Sequence, residues 1–250
     1  LSLFIFFKFL NEIKIKYFFV LLPLLFSGKW FNHIFETINF VWVFNFLLTL
    51  LIIYYLNLRN NFKLIPISII LLILLLSFAG GYIIIIYLIA YLILNEKIKF
   101  KNKLYFYFIF AGILFLTTEL IPTFKDGNPY INRLYIDFLS LNEIIKIIGT
   151  FFGMISSVYL PFIFYKLDLF KNLTILLGFI QTILLFITFF NSKINLKKFV
   201  LENPFLIIGI IGCLIISITS TNNFGEMRYA TYSIIFQIGF FIFMLKSKKI

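Results

Sequence analysis

The chain reads as an all-α protein, a polytopic bundle of transmembrane helices with about 8–10 membrane segments. Three observations carry that expectation. Hydrophobic residues make up 62% of the 250-residue chain and charged ones 13%, with a mean hydropathy of +1.05. A soluble domain is about half apolar and about a quarter charged. The apolar residues also fall in long runs, at 40–56, 64–79, 104–121, 173–190, 205–218 and 229–245, which carry hardly a charge. Runs of that length approach the roughly twenty residues a helix needs to cross a bilayer. Finally, the runs are continuous and do not alternate in polarity, so barrel strands are excluded and helices remain.

Each element follows in order. Residues 1–7 read as the end of a span coming inward. They open on Leu1 with no cleavage-site pattern behind them, so a piece lacking its N-terminal part is expected. Residues 17–27 go outward, with Pro23 as a kink, and 28–39 lie outside. Residues 40–56 return, 64–79 go out and 82–94 come back, with Gly80-Gly81 as the bend. Residues 104–121 go out again and Pro122 ends them.

A single crossing at 144–165 would strand the later lysines on the wrong side. An even number of crossings within 123–172 is therefore expected, as a re-entrant or interfacial hairpin broken at Gly149, Gly153 or Ser156-Ser157. Non-helical backbone at that depth is tolerated when buried in protein. Residues 173–190 then go in, 205–220 out and 229–245 in. No segment is polar enough for a soluble domain, so 1–250 form one transmembrane domain. No internal repeat is visible.

The net charge of +12 does not imply a nucleic-acid partner, because the basic residues sit in short loops between apolar runs. Lys8, Lys14 and Lys16 share one loop, Arg59 and Lys63 another, and Lys97, Lys99, Lys101 and Lys103 a third. Lys193, Lys197 and Lys198 form a fourth group, and Lys246, Lys248 and Lys249 the tail. Cytoplasmic loops collect Lys and Arg, so these segments are assigned to the cytoplasm of a multi-pass inner-membrane protein. The lone Cys213 forms no intrachain disulfide and suits mid-span packing.

Non-lysine ionisable residues collect on the outer side. Lys29, Trp30, Asn32, His33 and Glu36 occupy one loop; Glu119, Lys125, Asp126, Arg133 and Asp137 a second; Glu226, Arg228 and Tyr229 the last. Such grouping suits a charged, amphiphilic substrate. Trp30 and Tyr229 equally suit interfacial anchoring. Arg228 suits either a bidentate clamp on phosphate or a pair with Glu226 or a lipid headgroup. Glu119, near the end of an apolar run after Thr117 and Thr118, is the candidate catalytic acid. His33 is the only histidine, so no histidine cluster can hold a metal. Phosphate-loop, zinc-protease, Cys-x-x-Cys and serine-hydrolase motifs do not occur.

Three patches in order resemble a bacterial polytopic family related to GT-C type membrane glycosyltransferases. Leu22-Pro23-Leu24-Leu25-Phe26-Ser27 followed by Lys29-Trp30-Phe31-Asn32 is similar to that family's LP…LFS…QWEN segment, with Phe31 in place of Glu. Ser77-Phe78-Ala79-Gly80-Gly81 is similar to SFANG, with Gly80 in place of Asn. Glu226-Met227-Arg228-Tyr229-Ala230-Thr231-Tyr232-Ser233 resembles sRYxTxS at the start of the last span. The resemblance covers nearly the whole chain. It implies an enzyme taking a sugar from a polyprenyl-phosphate donor at the outer face of the cytoplasmic membrane. Arg228 and Tyr229 would engage the lipid phosphate, with the sugar or acceptor near Trp30, Asn32 and Glu119; Glu226 and His33 complete the substrate-binding set. A divalent metal is compatible with the resemblance, but the sequence shows no ligand set for one, and no cofactor is expected. In GT-C enzymes the catalytic acid usually lies in the first outer loop, so no residue of this chain inherits that role by motif. A lipid-linked glycan flippase or polymerase, or a small-solute transporter, is the alternative.

Overall fold

A computed structural model describes residues 40–57, 64–77, 80–120, 140–159, 168–219 and 230–247. Every regular element among them is helical. The helices are α1 (Phe40–Asn57), α2 (Leu64–Ser77), α3 (Gly80–Leu94), α4 (Phe100–Leu120), α5 (Leu141–Ser156, continued by a 3₁₀ turn over Ser157–Tyr159), α6 (Asp168–Asn191), α7 (Leu196–Glu202), α8 (Pro204–Thr219) and α9 (Ala230–Ser247). They fall into two compact units, one holding α1 from Phe44 through α4, the other α5 through α9.

Two of these helices are long and apolar enough to cross a membrane, the 19-residue stretch Leu141–Tyr159 and the 24-residue Asp168–Asn191. A third joins them if α7 and α8, bent by 94° at their junction, count as one broken span. Four shorter apolar helices lie at Phe44–Leu56, Ile65–Leu75, Gly81–Leu94 and Thr231–Ser247. At 1.5 Å per residue α6 reaches about 36 Å, more than a hydrocarbon core. Between 173 and 190 its outer surface is apolar: Leu173, Leu176, Phe179, Ile183, Phe186 and Phe190 are all exposed. Exposed oil along a helix is costly in water and costless in lipid. The chain is a helical membrane protein.

In the first unit α2 packs against both α3 and α4, burying Ile67, Leu71, Leu74, Ile84, Leu88 and Phe106. Gly80 and Gly81, expected as a bend, instead form the opening turn of α3. The small residue serves close packing there, because a Cβ on Gly81 would overlap the Leu75 side chain. The α3–α4 connection is built by Asn95, whose side chain accepts from the Lys97 N–H at 3.1 Å. Lys101 and Lys103, expected in that loop, belong to the first turn of α4, with the Lys101 ammonium 5.6 Å from the Tyr105 ring centre. Cations are disfavoured at a helix N-terminus, so helix stability is not what places them there.

In the second unit, α5 and α6 run antiparallel, since Gly178 meets Phe152 and Thr174 meets Ser156. α8 and α9 are also antiparallel: Gly209 lies on Phe236, Gly212 on Tyr232, and Gly239 on Leu206. A Cβ at any of these glycines would overlap its neighbour, the small-residue packing by which membrane helices bring their backbones together. α6 and α9, by contrast, run parallel. Gln181 pairs with Gln237 and Thr188 with Met244, at the same offset of 56 residues. The ends of α6 and α9 therefore share one end of the unit with α7. There, Phe199 stacks edge-on between Phe189 and Phe243, at 4.8 and 5.1 Å between centroids. Lys193, Lys197, Lys198 and Lys246 thus gather at one end, as the grouping of basic residues required.

In place of the re-entrant or interfacial hairpin expected within 123–172, Leu141–Tyr159 form one helix of membrane-crossing length. The helix passes unbroken through Gly149 and Gly153 and breaks only at Ser156-Ser157. Running against α6, α5 also points its Glu143–Lys146 end toward the end of the unit where α6 finishes. Those two residues pair at 2.6 Å, so their arrival leaves the charge balance of that end unchanged. Cys213 is buried, as expected of a packing residue.

Candidate functional site

The polar centre of the second unit forms where α5 stops. Ser156 initiates the break: its hydroxyl donates to the Phe152 carbonyl at 3.4 Å and to the Thr174 carbonyl of α6. A serine bonded back to its own helix bends it. The Ser157 N–H then bonds to the Met154 carbonyl, tightening the last turn. Such a helix end leaves carbonyls and amides without helical partners, and burying them unpaired is costly.

Side chains of α9 supply the partners. The Ile155 carbonyl accepts from Gln237 Nε2 at 2.7 Å and from Ser233 Oγ at 3.2 Å. The Val158 N–H donates to the same Ser233 oxygen at 3.2 Å. Gln237 and Gln181 exchange two amide hydrogen bonds, at 2.9 and 3.1 Å. The Tyr159 hydroxyl donates to Gln237 Oε1 at 2.8 Å. Gln237 is 0% exposed, and its two N–H donors and two acceptor sites are all used. A fully satisfied buried amide is fixed in place.

This cluster contains amides, hydroxyls and backbone, and no carboxylate, imidazole or thiol. Its hydroxyls and amides are bonded to one another and to backbone, so it orients and holds. Among the described residues no three His, Cys, Asp or Glu side chains come together, so none of these would hold a metal ion.

Of the residues expected to form a site, Trp30, Asn32, His33, Glu226, Arg228 and Tyr229 lie outside the described residues. Glu119 belongs by its backbone to the last turn of α4, while its side chain lies outside them. What the structure does describe is the end of the third patch. Ala230 opens α9, Thr231 buries a hydroxyl that has no hydrogen-bond partner among the described residues, and Ser233 is the bridge to the end of α5.

Gln181 and Gln237 were legible as the two glutamines interrupting apolar runs near their middles. They escape a reading that weighs only ionisable groups. Against the proteins already known, no family model, curated protein or solved structure matches this chain.

Proposed function

We propose that the chain is a multi-pass membrane glycosyltransferase of the GT-C type, taking a sugar from a polyprenyl-phosphate donor at the outer face of the cytoplasmic membrane. The bundle would hold about 8–10 segments. Arg228 would clamp the lipid phosphate through a bidentate pair, with Tyr229 and Glu226 beside it, and Trp30, Asn32 and His33 toward the sugar or acceptor.

The observation that supports this most is the anchoring of the third patch. Its last residue, Ser233, is tied to both the Ile155 carbonyl and the Val158 N–H. Arg228 stands five residues before that anchor and two before the start of α9. A phosphate clamp needs such a fixed root, since misplacement by about 1 Å can cost a hundredfold in rate.

The second reading, a flippase, polymerase or transporter, draws on Gln181 and Gln237, because polar side chains at membrane depth often mark transport paths. Saturation of every hydrogen-bonding position on Gln237 argues against it: no capacity is left for a passing solute.

The test is transfer of labelled sugar from a polyprenyl-phosphate donor by the full-length protein in proteoliposomes. Arg228→Ala is expected to lower transfer at least a hundredfold, with insertion unchanged and Arg228→Lys recovering only part. Full transfer in Arg228→Ala would remove Arg228 from the site. Movement of lipid-linked glycan across the bilayer without transfer would favour the second reading.

A further inference from the structure

We infer that the corner formed by the end of α6 and by α7 is an interfacial anchor that selects anionic phospholipid headgroups. The geometry comes first. α6 is long enough to cross the bilayer and finishes at Asn191; α7 then leaves at 94° to α8. A helix nearly perpendicular to its neighbour, at the end of a spanning helix, lies along the membrane surface.

The side chains of the corner sort as an interfacial segment requires. Phe199 turns inward between Phe189 and Phe243. Phe190, 72% exposed, and Leu196, 67% exposed, present oil outward. Lys193, Lys198 and Lys246 are exposed and Lys197 is half-buried. Glu202 is the one carboxylate on α7, at 4.0 Å from Lys198. Among the described residues of this corner, the formal charges of four lysines outnumber that of the one carboxylate, beside exposed apolar side chains. That combination is complementary to a leaflet of anionic lipid.

Lys193 adds an independent sign. Its φ of 52° is in the left-handed region, where glycine or asparagine is ordinarily found after a helix. A lysine there keeps its charge at a backbone cost that glycine would avoid. The inference concerns the end of the unit opposite the start of α9, and is independent of the transferase reading.

The test places a bimane on Leu196→Cys in a Cys213→Ala background of the full-length protein. The protein is reconstituted in phosphatidylcholine vesicles holding one quarter phosphatidylglycerol, with bromine carried on one lipid or the other. Quenching per brominated molecule is expected to be roughly two- to fivefold stronger for phosphatidylglycerol. Salt near 1 M should bring that ratio to about one. So should the Lys193→Gln, Lys197→Gln, Lys198→Gln triple variant, while the matching arginine variant keeps the preference. A bimane on Leu173→Cys, toward the other end of α6, should show a ratio of about one throughout. Equal quenching at position 196 with all lysines present would overturn the inference. Lack of quenching by either lipid would also overturn it, and would leave the corner to a protein partner or to water.

Discussion

Gln181 of α6 and Gln237 of α9 exchange two side-chain hydrogen bonds, at 2.9 and 3.1 Å, at the centre of the second unit. The pair locks two parallel helices in register and leaves one Gln237 donor for the Ile155 carbonyl where α5 ends. Hydrogen bonds between membrane helices average about 0.6 kcal/mol, so the four made by Gln237 amount to about 2 kcal/mol together.

Gln237→Leu should therefore destabilise the second unit by about 2 kcal/mol, because it also strands the Tyr159 hydroxyl and the Gln181 amide. Adding Gln181→Leu should cost less than its effect alone, with about 1 kcal/mol of coupling. Equilibrium unfolding in mixed micelles measures both. Strict additivity would mean that the amides do not act as a pair.

Two glycines on helix surfaces should respond oppositely to alanine. A Cβ at Gly178 would overlap the Phe152 carbonyl and push α5 from α6, so Gly178→Ala should cost about 1–3 kcal/mol. Gly112 of α4 has nothing within 4 Å of that position. Gly112→Ala should be neutral or stabilise by up to about 1 kcal/mol. Similar losses at both sites would contradict the packing of α5 on α6.

Two tyrosines one turn apart on α3 make a second such contrast. Tyr91 donates its hydroxyl to the Leu56 carbonyl at 3.2 Å, whereas the buried Tyr87 hydroxyl has no hydrogen-bond partner among the described residues. Tyr91→Phe should lower stability by about 1 kcal/mol, and Tyr87→Phe should be neutral or favourable. A greater loss at position 87 would show that its hydroxyl is satisfied.

Because α6 and α9 are parallel, their ends should lie on the same side of the membrane. Cysteines at Lys193 and Lys246, in a Cys213→Ala background, should react with an impermeant maleimide only after the cells are permeabilised. A cysteine at Asp168 should react in intact cells. Reaction of 193 and 246 from opposite sides would refute the parallel arrangement, and reaction of both in intact cells would reverse the orientation.

The helical extents were largely legible, since an apolar run and a membrane-length helix are nearly the same object. Residues 173–190 became Asp168–Asn191, and 229–245 became Ala230–Ser247. α7 was hidden, because seven residues holding two lysines and a glutamate read as loop unless Phe199 is known to be buried. The break at Ser156-Ser157 was one of three options and could not be told from Gly149 or Gly153. Its choice depends on Thr174, Ser233 and Gln237, which are distant in sequence. The expected site residues other than Glu119 fall outside the described residues. Of the third patch the structure adds Ser233, which ties α9 to the end of α5.

The parallel pairing of α6 with α9 has a consequence for biogenesis. Gln181 is synthesised 56 residues before its partner Gln237. At about 5–20 residues per second the ribosome needs roughly 3–11 s to close that interval. Through it, α6 must await α9 with an amide that lacks its native partner, and α7 and α8 are both made before that partner arrives. The second unit of the newborn chain is thus unfinished until α9 enters. A product truncated ahead of α9 would retain a helix of full membrane length with a polar group unsatisfied at its middle, a feature that membrane quality control could recognise as incomplete assembly.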